Sequence, residues 1–273
     1  KLFIYGKQDR RCRENSNDTS WTCFSTTNLE DWTNHKSVFS IYDVPWAKGH
    51  AFAPDAAGKN GKYYMYGPAL DSSGNWRTAV GISSNPSGPF TYHGQINVEE
   101  YDPSVFIDDN GQSYIYYPGR MAKLNEDMVS IKGDWMSRSE YLKSGPLDTT
   151  NHAIWENPFV FKRKGKYYYL LSVFNRNEKG KADWNKGQTV YHWISDSPTG
   201  PFEYKGPIFT PSLGNTGTSI VKYKGKWLFF AHDFFRTPKL DCVERKPCMY
   251  PVEFKNDGTI KYIENTAQKA VGN

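Results

Sequence analysis

Four stretches decide the fold: GKYYMYG (Gly61–Gly67), GQSYIYYPG (Gly111–Gly119), GKYYYLLS (Gly165–Ser172) and GKWLFFAH (Gly225–His232). KLFIYG (Lys1–Gly6) is a fifth copy that lacks the leading glycine. Each copy joins a turn glycine to a run of β-formers, so each reads as a hairpin turn followed by a buried strand. The four glycines are 50, 54 and 60 residues apart, the length of a four-stranded propeller blade with modest loops. A second phrase, NPSGPF (Asn85–Phe90) and SPTGPF (Ser197–Phe202), repeats the same logic and marks turns between outer strands. Five copies predict an all-β, five-bladed β-propeller filling residues 1–273 as one domain, with the innermost strand of blade 1 missing at the N-terminus. A β-sandwich of Tyr-rich hairpins would use similar turns, but without a longer period superimposed on them.

Composition agrees with short strands and tight turns: aromatic residues make up 16% of the chain, and 23 Gly with 16 Pro supply the punctuation. The net charge of +5 arises from 34 basic and 29 acidic residues. They are scattered along the chain, without the basic stripe that a nucleic-acid surface needs. No apolar run approaches the length of a membrane span, and KLFIYG lacks the regions of a signal peptide. Nucleic acid and membrane are therefore not expected partners. Four cysteines fall as two local pairs, Cys12 with Cys23 and Cys242 with Cys248, a spacing that two hairpin-scale disulfides could use and that free thiols would share. Asn17–Asp18–Thr19 is a glycosylation sequon. Both features lean toward an extracellular or secreted protein.

In a propeller the innermost strands line a shared channel, so equivalent positions of different blades face one space. Nine residues before each turn glycine stand Phe52, Asp102, Glu156 and Thr216, in the settings FAPD, YDPSV, WENPF and NTGTS. Prolines nearby leave this alignment open by one residue. Acidic side chains heading apolar strands are costly to bury unless paired or used. Asp102 alone could cap a turn and Glu156 alone could meet a lysine, but their common position points to a pair of channel carboxylates. Asp55 is either a third member or a turn aspartate. Such a pair is what glycoside hydrolysis needs, one carboxylic acid protonating the departing oxygen and another carboxylate activating water or attacking the sugar. Phe52, Trp155 and Phe174, next to the carboxylates, are candidates for stacking on sugar faces.

These phrases resemble glycoside hydrolase family 43, the five-bladed propellers that include β-xylosidases, α-L-arabinofuranosidases and arabinanases. Residues 44–69 look like that family's second blade, 101–117 like its third and 155–172 like its fourth. The resemblance implies an inverting glycosidase acting on arabinose- or xylose-containing plant polysaccharides, xylan among them. It makes Glu156, in Glu156–Asn157–Pro158, the general acid and Asp102 the aspartate that tunes its pKa and orients it. Arg236 sits near the family's sugar-binding arginine. The family's general base is an aspartate just upstream of the strand that KLFIYG represents. This chain starts after it, by truncation, by supply from elsewhere, or because the protein is a non-catalytic carbohydrate-binding propeller. Thr216 and Thr218 occupy the segment where many relatives carry a histidine that helps hold a calcium ion or water, so no metal or other cofactor is expected.

Overall fold

The computed structural model describes residues 1–7, 18–212, 214–237 and 242–266, with backbone alone at 233–237 and 242–245. Its strands form five sheets in chain order. The first is β1 (Leu2–Lys7), β2 (Ser20–Thr26) and β3 (Thr33–Ser40). The second is β4 (Asp55–Lys59), β5 (Lys62–Leu70), β6 (Trp76–Ser83) and β7 (Thr91–Ile96). The third is β8 (Ser104–Ile107), β9 (Ser113–Tyr116), β10 (Arg120–Leu124) and β11 (Ile131–Ser137). The fourth combines β13 (His152–Arg163), β14 (Lys166–Asn175), β15 (Thr189–Ser195) and β16 (Phe202–Phe209). A two-residue strand, β12 (Leu142–Lys143), lies parallel to β16. The fifth is β17 (Thr218–Tyr223), β18 (Lys226–Thr237) and β19 (Cys242–Pro251). Every main sheet is an antiparallel meander, and the five are the blades of a β-propeller. The strand phrases are β1, β5, β9, β14 and β18.

Turn chemistry explains this regularity. Asn60–Gly61, Lys164–Gly165 and Lys224–Gly225 each place two successive residues at positive φ, 52° and 73°, 49° and 77°, and 47° and 80°. That is the type I′ hairpin, whose twist matches that of the strands it joins. The third sheet turns more widely, with Gly111 N–H donating to Asp108 O at 2.8 Å. NPSGPF and SPTGPF link β6 to β7 and β15 to β16.

The chain divides into two compact units, one of residues 1–135 and one from Met136 onward. In the first, Trp21 of β2 is fully buried and stacks on Phe39 at 5.2 Å. Its indole lies against Gly67 of β5, where an added Cβ would overlap the ring. Glycine at 67 is therefore a packing requirement, and Trp21 Nε1, so placed, donates to Phe52 O at 2.7 Å. In the second unit one core joins Phe161, Tyr168 and Leu170 of the fourth sheet with Ile220 and Phe229 of the fifth. After β19 the chain returns to that core through Val252, Ile260 and Ile263. Ile263 N–H donates to Ile208 O at 2.7 Å, and Ile260 N–H to Nε2 of the buried His192 at 3.2 Å.

The cysteines need a correction. Cys12 and the Cys242 side chain lie outside the described residues, but the backbone decides the second pair. β19 carries Cys242 and Cys248 on one continuous ladder against Thr237 and Ala231. Six residues of strand separate their Cα atoms by about 20 Å, whereas a disulfide spans at most about 7 Å. That local bridge does not form. Asn17 of the sequon also lies outside the described residues.

Candidate active site

The first unit places one group of site residues around β4 and β8. Asp102 is buried immediately before β8, at φ 52° and next to Pro103. A non-glycine residue in the left-handed region is strained and persists where its surroundings impose it. Asp55, left open by the sequence, is the first residue of β4. Its Oδ2 accepts from Val105 N–H on β8 at 2.7 Å, and its Oδ1 accepts from Ala56 N–H at 2.8 Å. Burial pushes its pKa up to about 6, with these hydrogen bonds pulling the other way. Asp55 thus stitches two neighbouring innermost strands.

Phe52 is half-buried and lies edge-on to Trp76, centroids 4.6 Å apart at 83°. Trp76 in turn meets Tyr101 at 5.9 Å. The Lys7 ammonium sits 5.1 Å from the Phe52 centroid and 2.8 Å from the Asp18 carboxylate. Phe52 was visible in the repeat; Trp76 and Tyr101 were not, because each is a single aromatic outside the repeated phrase.

The second unit builds the surroundings of Glu156. β13 bulges between Glu156 and Phe159, just where Asn157 takes φ 50° before Pro158. Asp102 before Pro103 has the same conformation, so the backbone counterpart of Asp102 is Asn157, and Glu156 stands one residue earlier. The offset of one arises at the turns: Ser104 and Phe159 pair with equivalent residues, Tyr116 and Leu170, but stand seven and six residues before Gly111 and Gly165, because the turn of the third sheet is wider.

Glu156 Oε2 accepts from Gln188 Nε2 at 3.1 Å and from Asn215 Nδ2 at 3.4 Å. Gln188 is fully buried and its Oε1 accepts from Thr216 N–H at 3.1 Å. Gly217 N–H donates to His232 Nδ1 at 3.0 Å, and His232 Nε2 faces Asn215 Oδ1 at 3.4 Å. Asn157 Nδ2 and Ser172 Oγ both donate to Thr216 O. Glutamine and asparagine in loops carry no periodic signal, so sequence reasoning missed these two donors to Glu156.

Phe174, Thr216 and Trp155 differ in what they can offer to a sugar. Phe174 is 0% exposed and cannot present a face to solvent; Trp184, 49% exposed, packs on it at 4.5 Å. Phe174 points inward because the whole Tyr167–Phe174 stretch of β14 is buried. Thr216 is also fully enclosed, its Oγ1 donating to His232 O at 2.9 Å. It contributes its backbone to the site. Trp155 is half-buried, with Nε1 donating to Pro146 O at 2.8 Å and the Arg138 guanidinium 4.4 Å from its ring centre. The Arg236 side chain lies outside the described residues.

His232 also bears on calcium. Its Nδ1 accepts a backbone N–H, so in the neutral ring Nε2 carries the hydrogen and offers no lone pair to a cation. In this arrangement the imidazole is a hydrogen-bond donor and not a ligand for a hard, oxygen-seeking ion.

Five antiparallel meander blades define a β-propeller, and comparison with known proteins gives the family. The profile of Glycosyl hydrolases family 43 matches residues 3–260. The chain belongs to that family and is a glycosidase. Xylosidase/arabinosidase 43A of Humicola insolens is 31% identical, over 85% of this chain and 84% of that protein. The extracellular exo-alpha-(1->5)-L-arabinofuranosidase ArbA of Cellvibrio japonicus is 26% identical, over 78% and 68% respectively. Among solved structures, RS223-Beta-xylosidase superposes with a TM-score of 0.81 at 26% identity, covering 97% of this chain and 92% of that one.

Proposed function

We propose that the protein releases β-D-xylosyl or α-L-arabinofuranosyl units from xylan- or arabinan-type polysaccharides with inversion, Glu156 serving as general acid. One observation carries the role: Glu156 is a half-buried carboxyl on the bulge of an innermost strand, with one oxygen held by two amide donors. A positioned acid of this kind gives its proton to the glycosidic oxygen as the bond to the anomeric carbon breaks and its electron pair moves to oxygen. Water adds to the opposite face of the sugar and loses its proton to a second carboxylate, the base. Asp102 is proposed to tune and orient the acid, a role its strained, buried conformation suits. Phe52 with Trp76, and Trp184 in place of Phe174, are proposed to stack on sugar rings. Arg236 is proposed to bind sugar. The name of the Cellvibrio relative and the Asn17–Thr19 sequon support an extracellular setting.

The test compares nitrophenyl xyloside, nitrophenyl arabinofuranoside, xylo-oligosaccharides and linear arabinan, for the full-length protein and its Glu156→Gln variant. A departing nitrophenolate needs little protonation, whereas a departing sugar needs it fully. Glu156→Gln should therefore cost about a hundred to ten thousand fold on oligosaccharides and far less on the nitrophenyl substrate that is turned over. Asp102→Asn should add little once Glu156 is gone, because residues acting as a unit are not additive. Equal losses on both substrate classes would refute the acid role and leave a carbohydrate-binding propeller.

A further inference from the structure

The hydrogen bonds around Glu156 have a definite direction, set by two consecutive backbone N–H groups. A backbone N–H can only donate. Because Thr216 N–H points at one end of the Gln188 amide, that end is the oxygen and the NH₂ end faces Glu156. Because Gly217 N–H points at His232 Nδ1, that nitrogen carries the lone pair and Nε2 carries the hydrogen. The Asn215 atom facing Nε2 is then its oxygen, and its NH₂ group faces Glu156. Both relays end on the same carboxyl oxygen, Oε2, and both deliver a donor.

We infer that Gln188 and Asn215 are positioning residues that fix the transferable proton of Glu156 on Oε1. An oxygen that receives two N–H donors is the carbonyl oxygen of a neutral carboxylic acid, since a hydroxyl there would set a third hydrogen against the other two. The proton is left on the oxygen that the amides do not hold, which is the one that donates to the glycosidic oxygen. This rests on the reading of Glu156 as the acid, and extends it from a residue to an atom. It also gives the NTGTS segment a use: Thr216 and Gly217 act through their backbone N–H groups. The two arms are unequal, since Gln188 is fully buried and its contact is shorter, while Asn215 is half-buried and its contacts are longer.

Two measurements test the inference without requiring turnover. Protein carrying ¹³C-labelled glutamate is titrated by NMR and by difference infrared spectroscopy, the Glu156 signals being those lost in Glu156→Gln. In Gln188→Met and Asn215→Ala a donor that favours the carboxylate is gone. The Glu156 midpoint should rise, by about one pH unit for Gln188→Met and less for Asn215→Ala. The C=O stretch of the protonated group should also move to higher frequency, because a hydrogen bond to a carbonyl oxygen weakens that bond. In kinetics, kcat on xylobiose should fall about tenfold or more in Gln188→Met with little change in KM, and the basic limb of its pH profile should move with the titration. If Gln188→Met does not fold, the half-buried Asn215→Ala carries the same readouts. An unmoved midpoint and C=O band in both variants would overturn the inference, even where Glu156→Gln shows the leaving-group dependence of a lost acid. Loss of that dependence would instead remove the acid role itself.

Discussion

Lowering the pH should loosen the second unit through one buried imidazole, His192. Its Nδ1 lies 2.9 Å from Gly206 O and must be the donor there, while Nε2 accepts from Ile260 N–H at 3.2 Å. Burial pushes its pKa down from 6.5 to about 4, because a charged ring would be desolvated and would turn a second N–H against that of Ile260. The unfolded chain takes up this proton near pH 6.5 and the folded chain only near 4. Between those values the unfolded state binds more protons, so stability is lost as pH falls and the loss saturates below about pH 4. A separation of about 2.5 pH units corresponds to about 3 kcal/mol. His192→Gln abolishes the titration, so urea unfolding of both proteins at pH 7, 5.5 and 4 isolates it. The wild type should lose about 3 kcal/mol relative to the variant over that range, and the Ile260 amide should become faster to exchange. Parallel stability curves, or a wild type that gains on the variant toward acid, would refute the reasoning.

Asp55 should behave in the opposite sense. Its pKa is raised from 3.8 to about 6, so the folded state binds the proton first and stability rises as pH falls from about 7 toward 4. The gain is about 3 kcal/mol at most, and Asp55→Asn should lack it when urea midpoints are compared across that range. Gly67→Ala sets a methyl group into the enclosed Trp21 ring, and overpacking of this kind should cost about 1–3 kcal/mol, read from urea unfolding together with Trp fluorescence. Trp184→Ala removes an exposed ring resting on Phe174. It should raise KM on oligosaccharides about tenfold while leaving a nitrophenyl monoglycoside unaffected, and equal effects on both would sink its role as a platform.

The blades were legible because their cause is local: a glycine at positive φ and the run of β-formers after it are written side by side, as at Gly61–Gly67. Counting from those glycines found Glu156 and Asp102 but not their relation, because the β8–β9 turn is wider than the two-residue β13–β14 turn and sets its strand one residue further from the glycine. Phe174 was misread for a related reason. Sequence shows an aromatic beside a carboxylate, but which side of a fully buried strand it faces depends on what the next strand and loop bring, here Trp184. Gln188 and Asn215 were beyond reach, since a polar residue in a loop gains meaning only when a distant segment supplies the group that orients it, Thr216 N–H for Gln188 and the His232 ring for Asn215. Asp55 could be weighed as a turn residue or a site residue, but its bond to Val105 crosses 50 positions of sequence.

The return of Val252–Ile263 to the fourth sheet has a consequence during synthesis. A ribosome delivers β13 to β16 by residue 209, yet Ile263, which donates to Ile208 O and closes that core, emerges 54 residues later. Throughout that interval Phe161, Tyr168 and Leu170 are without part of their covering, and nascent chains in this condition are the ones that chaperones hold and that aggregate when crowded. In the first unit the two cores described are drawn from residues up to Trp135. Recombinant yield should therefore be set by how the second half of the chain is escorted off the ribosome, and synonymous codons that speed translation between residues 209 and 263 are the place to raise it.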